Sequence, residues 1–272
     1  MKRLSLPLMT AVGLMGMTAL TGCGSGSTDS ATSASAAMTP SASSTPSPSS
    51  TLSGTVTVLA AASLTESFTA LEKSFEAANP GVDVTISFGS SATLAQQIAQ
   101  GAPADLYASA GTKALDQLPA EAKAKPTTTL AKNVLEIATP PGNPKKVTGL
   151  ASLADASTNV VLCAETVPCG SAADAVLTKA AVTAHVVSRE VDVKATLAKI
   201  TLGEADAAIV YHSDVVAAGS KVEGVEIPSA QNTTLAYPLV RLPDTPATKA
   251  FADLLASAAG LKELEAVGFL AP

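Results

Sequence analysis

Gly54–Phe88 reads GTVTVLAAASLTESFTALEKSFEAANPGVDVTISF, and the change of period along it decides the fold class. Val56 and Val58 alternate as in a short strand, and from about Leu64 the period lengthens. Leu64, Phe68, Leu71 and Phe75 stand at i, i+4, i+7 and i+11 on one helical face. Asn79-Pro80-Gly81 ends that helix, and Val82, Val84, Ile86 and Phe88 alternate in the next strand. The rhythm continues outward. Leu94 and Ile98 share a helix face, and further strands are expected near 105–108, 134–138, 159–163, 206–211 and 235–240. Helices are expected near 171–180, 193–202 and 245–257. Alternating strands and helices predict an α/β fold with mostly parallel sheet.

The composition agrees. Of 272 residues, 47% are hydrophobic and 15% charged, so a sizeable core can form and disorder is excluded for most of the chain. Aromatic residues are 3%, with no Trp, so Ala, Val and Leu fill the core and stacking platforms for sugars or nucleotides are not expected. A net charge of −6 argues against nucleic acid as a partner, because phosphate backbones need a basic surface.

Upstream of the fold, Met1-Lys2-Arg3 is a basic start and Leu4–Leu20 is apolar, interrupted by Pro7, Gly13 and Gly16. That pattern reads as a secretory signal peptide over 1–22 rather than a membrane span, which needs about 20 apolar residues. Leu20-Thr21-Gly22-Cys23 resembles a bacterial lipobox, which implies cleavage before Cys23 and a lipid on its thiol. Removing residues 1–22 takes away Lys2 and Arg3 and no acid, so the net charge falls from −6 to −8. Residues 24–53 are nearly all Ser, Thr, Ala, Pro and Gly and are expected to form a flexible tether.

Four strand-to-helix joints carry small or polar residues: Ala60-Ala61-Ala62-Ser63, Gly89-Ser90-Ser91, Val167-Pro168-Cys169-Gly170-Ser171 and Val191-Asp192-Val193. Helix N-termini present unpaired N–H groups and the positive end of the macrodipole, so they suit anions without Lys or Arg. No Lys or Arg occurs between Val58 and Leu71, between Phe88 and Gln100, or between Val161 and Val176. Anions at these joints would be held by neutral dipoles. Each joint also has a plainer reading. Ser63-Leu64-Thr65-Glu66 has the form of a capping box, with Ser63 Oγ accepting from the Glu66 N–H. Ser90 and Ser91 can be ordinary caps, and Tyr211, at the end of the apolar strand Ala207–Val210, can be a core-edge residue.

Absent motifs narrow the function. There is no Gly-Lys dipeptide for a Walker-type phosphate loop, no Ser-x-x-Lys, and no Gly-x-Ser-x-Gly in the folded region. His185 and His212 are too far apart for a His-based metal site, and Cys163 and Cys169 have the wrong spacing for a zinc knuckle. In an exported protein those two cysteines are expected to form a disulfide. Closing so short a loop contributes only about 2 kcal/mol in the chain-entropy picture, so its expected role is to stiffen the loop that presents the Cys169 N–H.

Taken in order, Val58–Thr65, Phe88–Leu94, Gly101–Leu106, Ile209–Asp214, Tyr237-Pro238 and Val267–Phe269 resemble the molybdate-binding proteins of ABC importers, the ModA type. The resemblance covers residues 54–271. It implies a periplasmic-binding-protein type II fold: two α/β lobes, 54–133 with 236–272 and 134–235, joined by two crossover strands. It further implies an oxyanion held by hydroxyls and amides. Ser63 and Ser91 would each offer a hydroxyl and an amide, Cys169 and Val193 amides, and Tyr211 its phenol. Cys169 departs from the small residue usual there. No cofactor and no direct metal ligand are implied, because the ligand would be an oxyanion, molybdate or tungstate, whose metal reaches those residues only through its oxygens. The implied partners are an ABC permease with its ATPase, and the membrane through the lipid. The protein would be a monomer on the outer face of the cytoplasmic membrane, not an enzyme.

A dianion in a closed cleft needs donors to replace its hydration, and a site of donors alone rejects protonated anions, whose O–H would be left unpaired. The rival readings are the same fold binding sulfate, an anchored hydrolase using Ser63 or Ser91, and the effector domain of a transcription regulator. The hydrolase lacks a motif for a general base. The regulator is opposed by the export signal and by the lack of a basic DNA-binding segment.

Overall fold

A computed structural model describes residues 52–272. The expected signal peptide, Cys23 and nearly all of the tether lie outside the described residues. In chain order the elements are β1 (Gly54–Ala61), α1 (Thr65–Ala78), β2 (Val82–Gly89), α2 (Ser91–Ala99), β3 (Leu106–Ala108), α3 (Ala120–Lys123) and β4 (Thr127–Thr139). There follow β5 (Val160–Cys163), α4 (Pro168–Lys179), β6 (Val186–Glu190), α5 (Val193–Thr201), β7 (Ala207–Tyr211) and α6 (His212–Ala218). The chain closes with β8 (Glu223–Glu226), β9 (Thr234–Arg241), α7 (Pro246–Leu255) and α8 (Ala258–Ala266).

The strands lie in the order β2-β1-β3-β9-β4-β7-β5-β6, with β8 also on β4. The sheet is mixed. β1 runs parallel to β2 and β3, and β5 parallel to β6 and β7, so each half contains a parallel block connected by helices. β4 and β9 run antiparallel to each other between the blocks. β4 changes partner along its length: Thr127–Val134 pair with β9, whereas Leu135–Ala138 pair with β7 and Glu136–Thr139 with β8. Only the apolar end of this strand was visible as alternation, because its first three residues are exposed threonines.

The core follows the pattern of Gly54–Phe88. Phe68, Leu71 and Phe75 are buried on one face of α1, and the Phe75 ring lies 5.0 Å from that of Phe251 on α7. Burying side chains of this size contributes about 1.5–3 kcal/mol each. In parallel blocks the carboxyl ends of the strands open onto a crevice that helices leave N-terminus first. Here those ends are Ala61, Gly89, Cys163 and Tyr211, and each is followed by a helix start. Among the described residues no helix is long and apolar enough to cross a membrane.

One local expectation fails. Ser63 does not cap a helix. The chain turns through a 3-10 segment, Ala62–Leu64, before α1 begins, and Leu64 occupies the N-cap position with no side-chain bond. Nor does Ser90, the N-cap residue of α2, make a side-chain cap. Asp192 does cap α5, accepting from the Ala195 N–H at 2.9 Å.

Candidate functional site

Ser63, Ser91, Cys169, Val193 and Tyr211 line one cavity, together with Ser90. Its volume is about 20 Å3, room for a body of a few atoms and far below the size of a pocket for a sugar or nucleotide. The lining comes from both parallel blocks. Ser63, Ser90 and Ser91 follow β1 and β2, whereas Cys169, Val193 and Tyr211 belong to or follow β5, β6 and β7.

Ser63 Oγ is buried and lies 2.9 Å from the Tyr237 phenol oxygen. The direction of that bond follows from its neighbours. Asn133 Oδ1 accepts from the Val134 N–H at 3.0 Å, so its Nδ2 faces Ser213 Oγ at 2.7 Å and Tyr237 Oη at 3.4 Å. Tyr237 therefore accepts from Asn133, and Ser63 Oγ is the one acceptor left for the phenol proton among the described residues. Ser63 then has its own proton free to donate. Ser91 is arranged the same way. Its Oγ accepts from the Ala110 N–H at 2.9 Å, and its carbonyl accepts from Tyr107 Oη at 2.7 Å. Both serine hydroxyls are thus turned into donors.

Tyr211 Oη and Ser90 Oγ are buried and have no hydrogen-bond partner among the described residues. Burial, with the neighbouring Tyr237 and Asp214, holds the Tyr211 phenol well above its ordinary pKa, so it stays protonated and can donate. Burial likewise raises Tyr237 and pushes Tyr107 up to about 12. The remaining groups are amides. Cys169 stands in the first turn of α4, and Val193 is the first residue of α5, where helix geometry offers N–H groups no carbonyl. The structure joins Cys163 to Cys169 with Cα atoms 5.7 Å apart, which ties the start of α4 to the end of β5.

The charges nearby do not supply a cation aimed at the cavity. Lys194 Nζ lies 2.8 Å from Glu66 and 3.1 Å from Asp214. Its ammonium is held above its ordinary pKa because Asp214 and Glu66 outweigh the cost of burial. Asp214 is completely buried, and that burial pushes its carboxyl up to about 6 against the pull of Lys194. A carboxyl that titrates higher when folded opposes folding above its folded pKa. The opposition fades as pH falls toward the ordinary value of 3.8. Two units correspond to at most about 3 kcal/mol. Denaturant titrations of the wild type and Asp214→Asn are therefore expected to diverge with pH, the wild type gaining relative stability as pH falls from 7 to 4.5. A difference that does not change with pH would show that Asp214 titrates normally.

Three features of the site were not visible in the sequence. Tyr237 and Asn133, which orient Ser63, lie 174 and 70 positions along the chain from it. The orphan hydroxyl of Ser90 looks like an ordinary cap. Neither histidine lines the cavity: His212 Nδ1 is 2.6 Å from the buried Glu136, and His185 Nδ1 is 3.3 Å from the Thr158 carbonyl. Among the described residues no cluster of His, Cys, Asp and Glu is arranged for a metal ion.

Residues 56–270 match the family described as bacterial extracellular solute-binding protein. The molybdate-binding protein ModA of Mycobacterium tuberculosis is 38% identical over 222 residues, which span 80% of this chain and 85% of that protein. A solved structure, the substrate-binding domain of a putative molybdenum ABC transporter from Clostridium difficile, is 29% identical with a TM-score of 0.60. That alignment covers 80% of this chain and 99% of the other. The sulfate-binding protein SubI of Mycobacterium tuberculosis has a TM-score of 0.69 at 20% identity, over 79% of this chain and 86% of its own. That last likeness is of fold alone. With a matched region spanning nearly all the described residues, the chain belongs to the family of bacterial extracellular solute-binding proteins and, within it, to the ModA relatives.

Proposed function

We propose that this protein captures molybdate, and also tungstate, in the cleft between its two parallel blocks and delivers it to an ABC permease. One observation carries the reading: a cavity of a few atoms' size is lined from both blocks by serine and tyrosine hydroxyls and by residues at helix starts, with no cation among them. Ser63 and Ser91 would give a hydroxyl and an amide each, Cys169 and Val193 an amide each, and Tyr211 its phenol. Bonds to a charged acceptor contribute roughly 1.5–3 kcal/mol each, so about seven of them sustain tight binding in an acidic protein. The similarity to molybdate-binding relatives supports the choice of anion.

The finer parts of the reading belong to the same proposal. The blocks act as two lobes, 54–133 with 236–272 and 134–235, and the change of partner along β4 at Val134/Leu135 supports that division. The protein is exported, cleaved before Cys23 and lipid-anchored there to the outer face of the cytoplasmic membrane, where it works as a monomer without catalysis.

Isothermal titration of the purified protein with molybdate, tungstate, sulfate and phosphate at one pH tests the reading. Molybdate and tungstate are expected to bind tightly while sulfate fails on size and phosphate on its proton. A response to sulfate with silence from molybdate would keep the fold and overturn the ligand.

A further inference from the structure

The two blocks are joined by a lysine that stands next in sequence to Val193 of the cavity lining. Lys194 follows Val193 at the start of α5, and Glu66 stands one helical turn after Ser63. Lys194 Nζ is 2.8 Å from Glu66 Oε1 and 2.9 Å from Oε2. On its other side it lies 3.1 Å from Asp214 Oδ1 on α6. Among the described residues Glu66–Lys194 is the only ion pair linking the block that carries α1 to the block that carries α5.

We propose that Lys194 is a clasp, mounted on one block by Asp214 and closing on Glu66 of the other, and that it sets how long the cleft stays shut. Three facts bear on this. Asp214 and Lys194 belong to the same block, so their contact survives when the blocks separate, whereas the contact with Glu66 does not. Asp214 is fully buried, neither of its oxygens has a hydrogen-bond partner among the described residues, and its ion-pair partner there is Lys194. The ammonium is thereby held in position before closure, and closure costs less side-chain freedom. Finally, the ammonium faces two carboxylates, so its charge is spent on them and leaves little for a bound anion. Its role is to hold the blocks and so to position the donors on both sides.

The inference rests on the proposed capture of an anion only for its consequence, slower release; the clasp itself is a property of the protein alone. Glu66→Gln is the informative variant because it leaves Lys194 on Asp214, whereas Lys194→Met would strand a buried carboxylate and endanger the fold. Spin labels on non-natural residues at exposed Lys73 and Thr183 would report the distance between blocks in the full chain, with and without molybdate. Glu66→Gln is expected to broaden the distribution toward longer distances and Glu66→Lys to shift it further. Molybdate release in stopped flow should be about three- to tenfold faster for Glu66→Gln, with little change in association. Distributions identical in wild type and both variants would overturn the clasp. If the wild type itself ignores molybdate, the proposed ligand fails, and the anion-free distributions still decide for or against the clasp.

Discussion

Tyr211→Phe is expected to weaken molybdate binding by roughly ten- to a hundredfold while leaving the anion-free protein as stable as the wild type or more so. The opposite signs follow from one atom. Tyr211 Oη is buried without a hydrogen-bond partner among the described residues, and an unsatisfied buried polar group costs about 1–3 kcal/mol. Phenylalanine removes that cost and keeps the ring, which meets Tyr237 edge-on with centroids 6.1 Å apart. In the complex the same phenol becomes a donor to a charged acceptor, a contribution of roughly 1.5–3 kcal/mol that the variant forfeits. Titration calorimetry gives the affinity, and thermal melting without anion gives the stability. An unchanged affinity would remove Tyr211 from the site. A lower melting temperature without anion would mean that the hydroxyl has a partner in the folded protein.

How far the site could be read from the sequence depended on the range of the interactions. The joints after β1, β2, β5 and β6 were legible because small residues at a strand end followed by a helical period leave a local trace. All five residues singled out there or at the end of β7 line one cavity. Two strands escaped, although the joint after one of them, β6, was legible. β8 is Glu-Gly-Val-Glu with three exposed residues, and β6 is short and only half-buried, so neither alternates clearly. β4 looked half its length because its threonine end is polar.

Ser63 is the instructive error. Locally, Ser-x-x-Glu is a cap, and the local reading gave its hydroxyl to the Glu66 N–H. In the fold a 3-10 turn intervenes, and the hydroxyl instead meets Tyr237, 174 positions away. No windowed pattern contains that pairing. It also frees Glu66 to meet Lys194, a contact across 128 positions. Propensity and period thus located the strand-to-helix joints and the resemblance assigned roles to residues there, whereas the direction of each proton and the ion pair between the blocks arose only from tertiary packing.

Gly170→Ala is expected to destabilise the protein and weaken anion binding, although alanine is ordinarily the better helix residue. A Cβ at Gly170 would stand 1.9 Å from the Ala164 carbonyl oxygen, 2.5 Å from the Ala164 carbonyl carbon and 2.6 Å from the Cys163 carbonyl oxygen. All three atoms are backbone, so no side chain can swing aside. The carbonyls have little room to retreat, because Cys163 is paired with β6 in the sheet, the Ala164 N–H is bonded to the Glu190 carbonyl, and the disulfide holds Cys163 to Cys169. The start of α4 must move instead, and it carries the Cys169 amide with it. Overpacking of this kind costs typically 1–3 kcal/mol, which in a domain of this size lowers the melting temperature by roughly 2–12 °C. Because the same displacement pulls a donor from a cavity only a few atoms wide, affinity should fall by about tenfold or more, beyond what reduced stability explains. Melting and titration on the same sample separate the two effects. If both stay at wild-type values, α4 can shift without consequence, and the contact between Gly170 and Ala164 does not fix the geometry of the site.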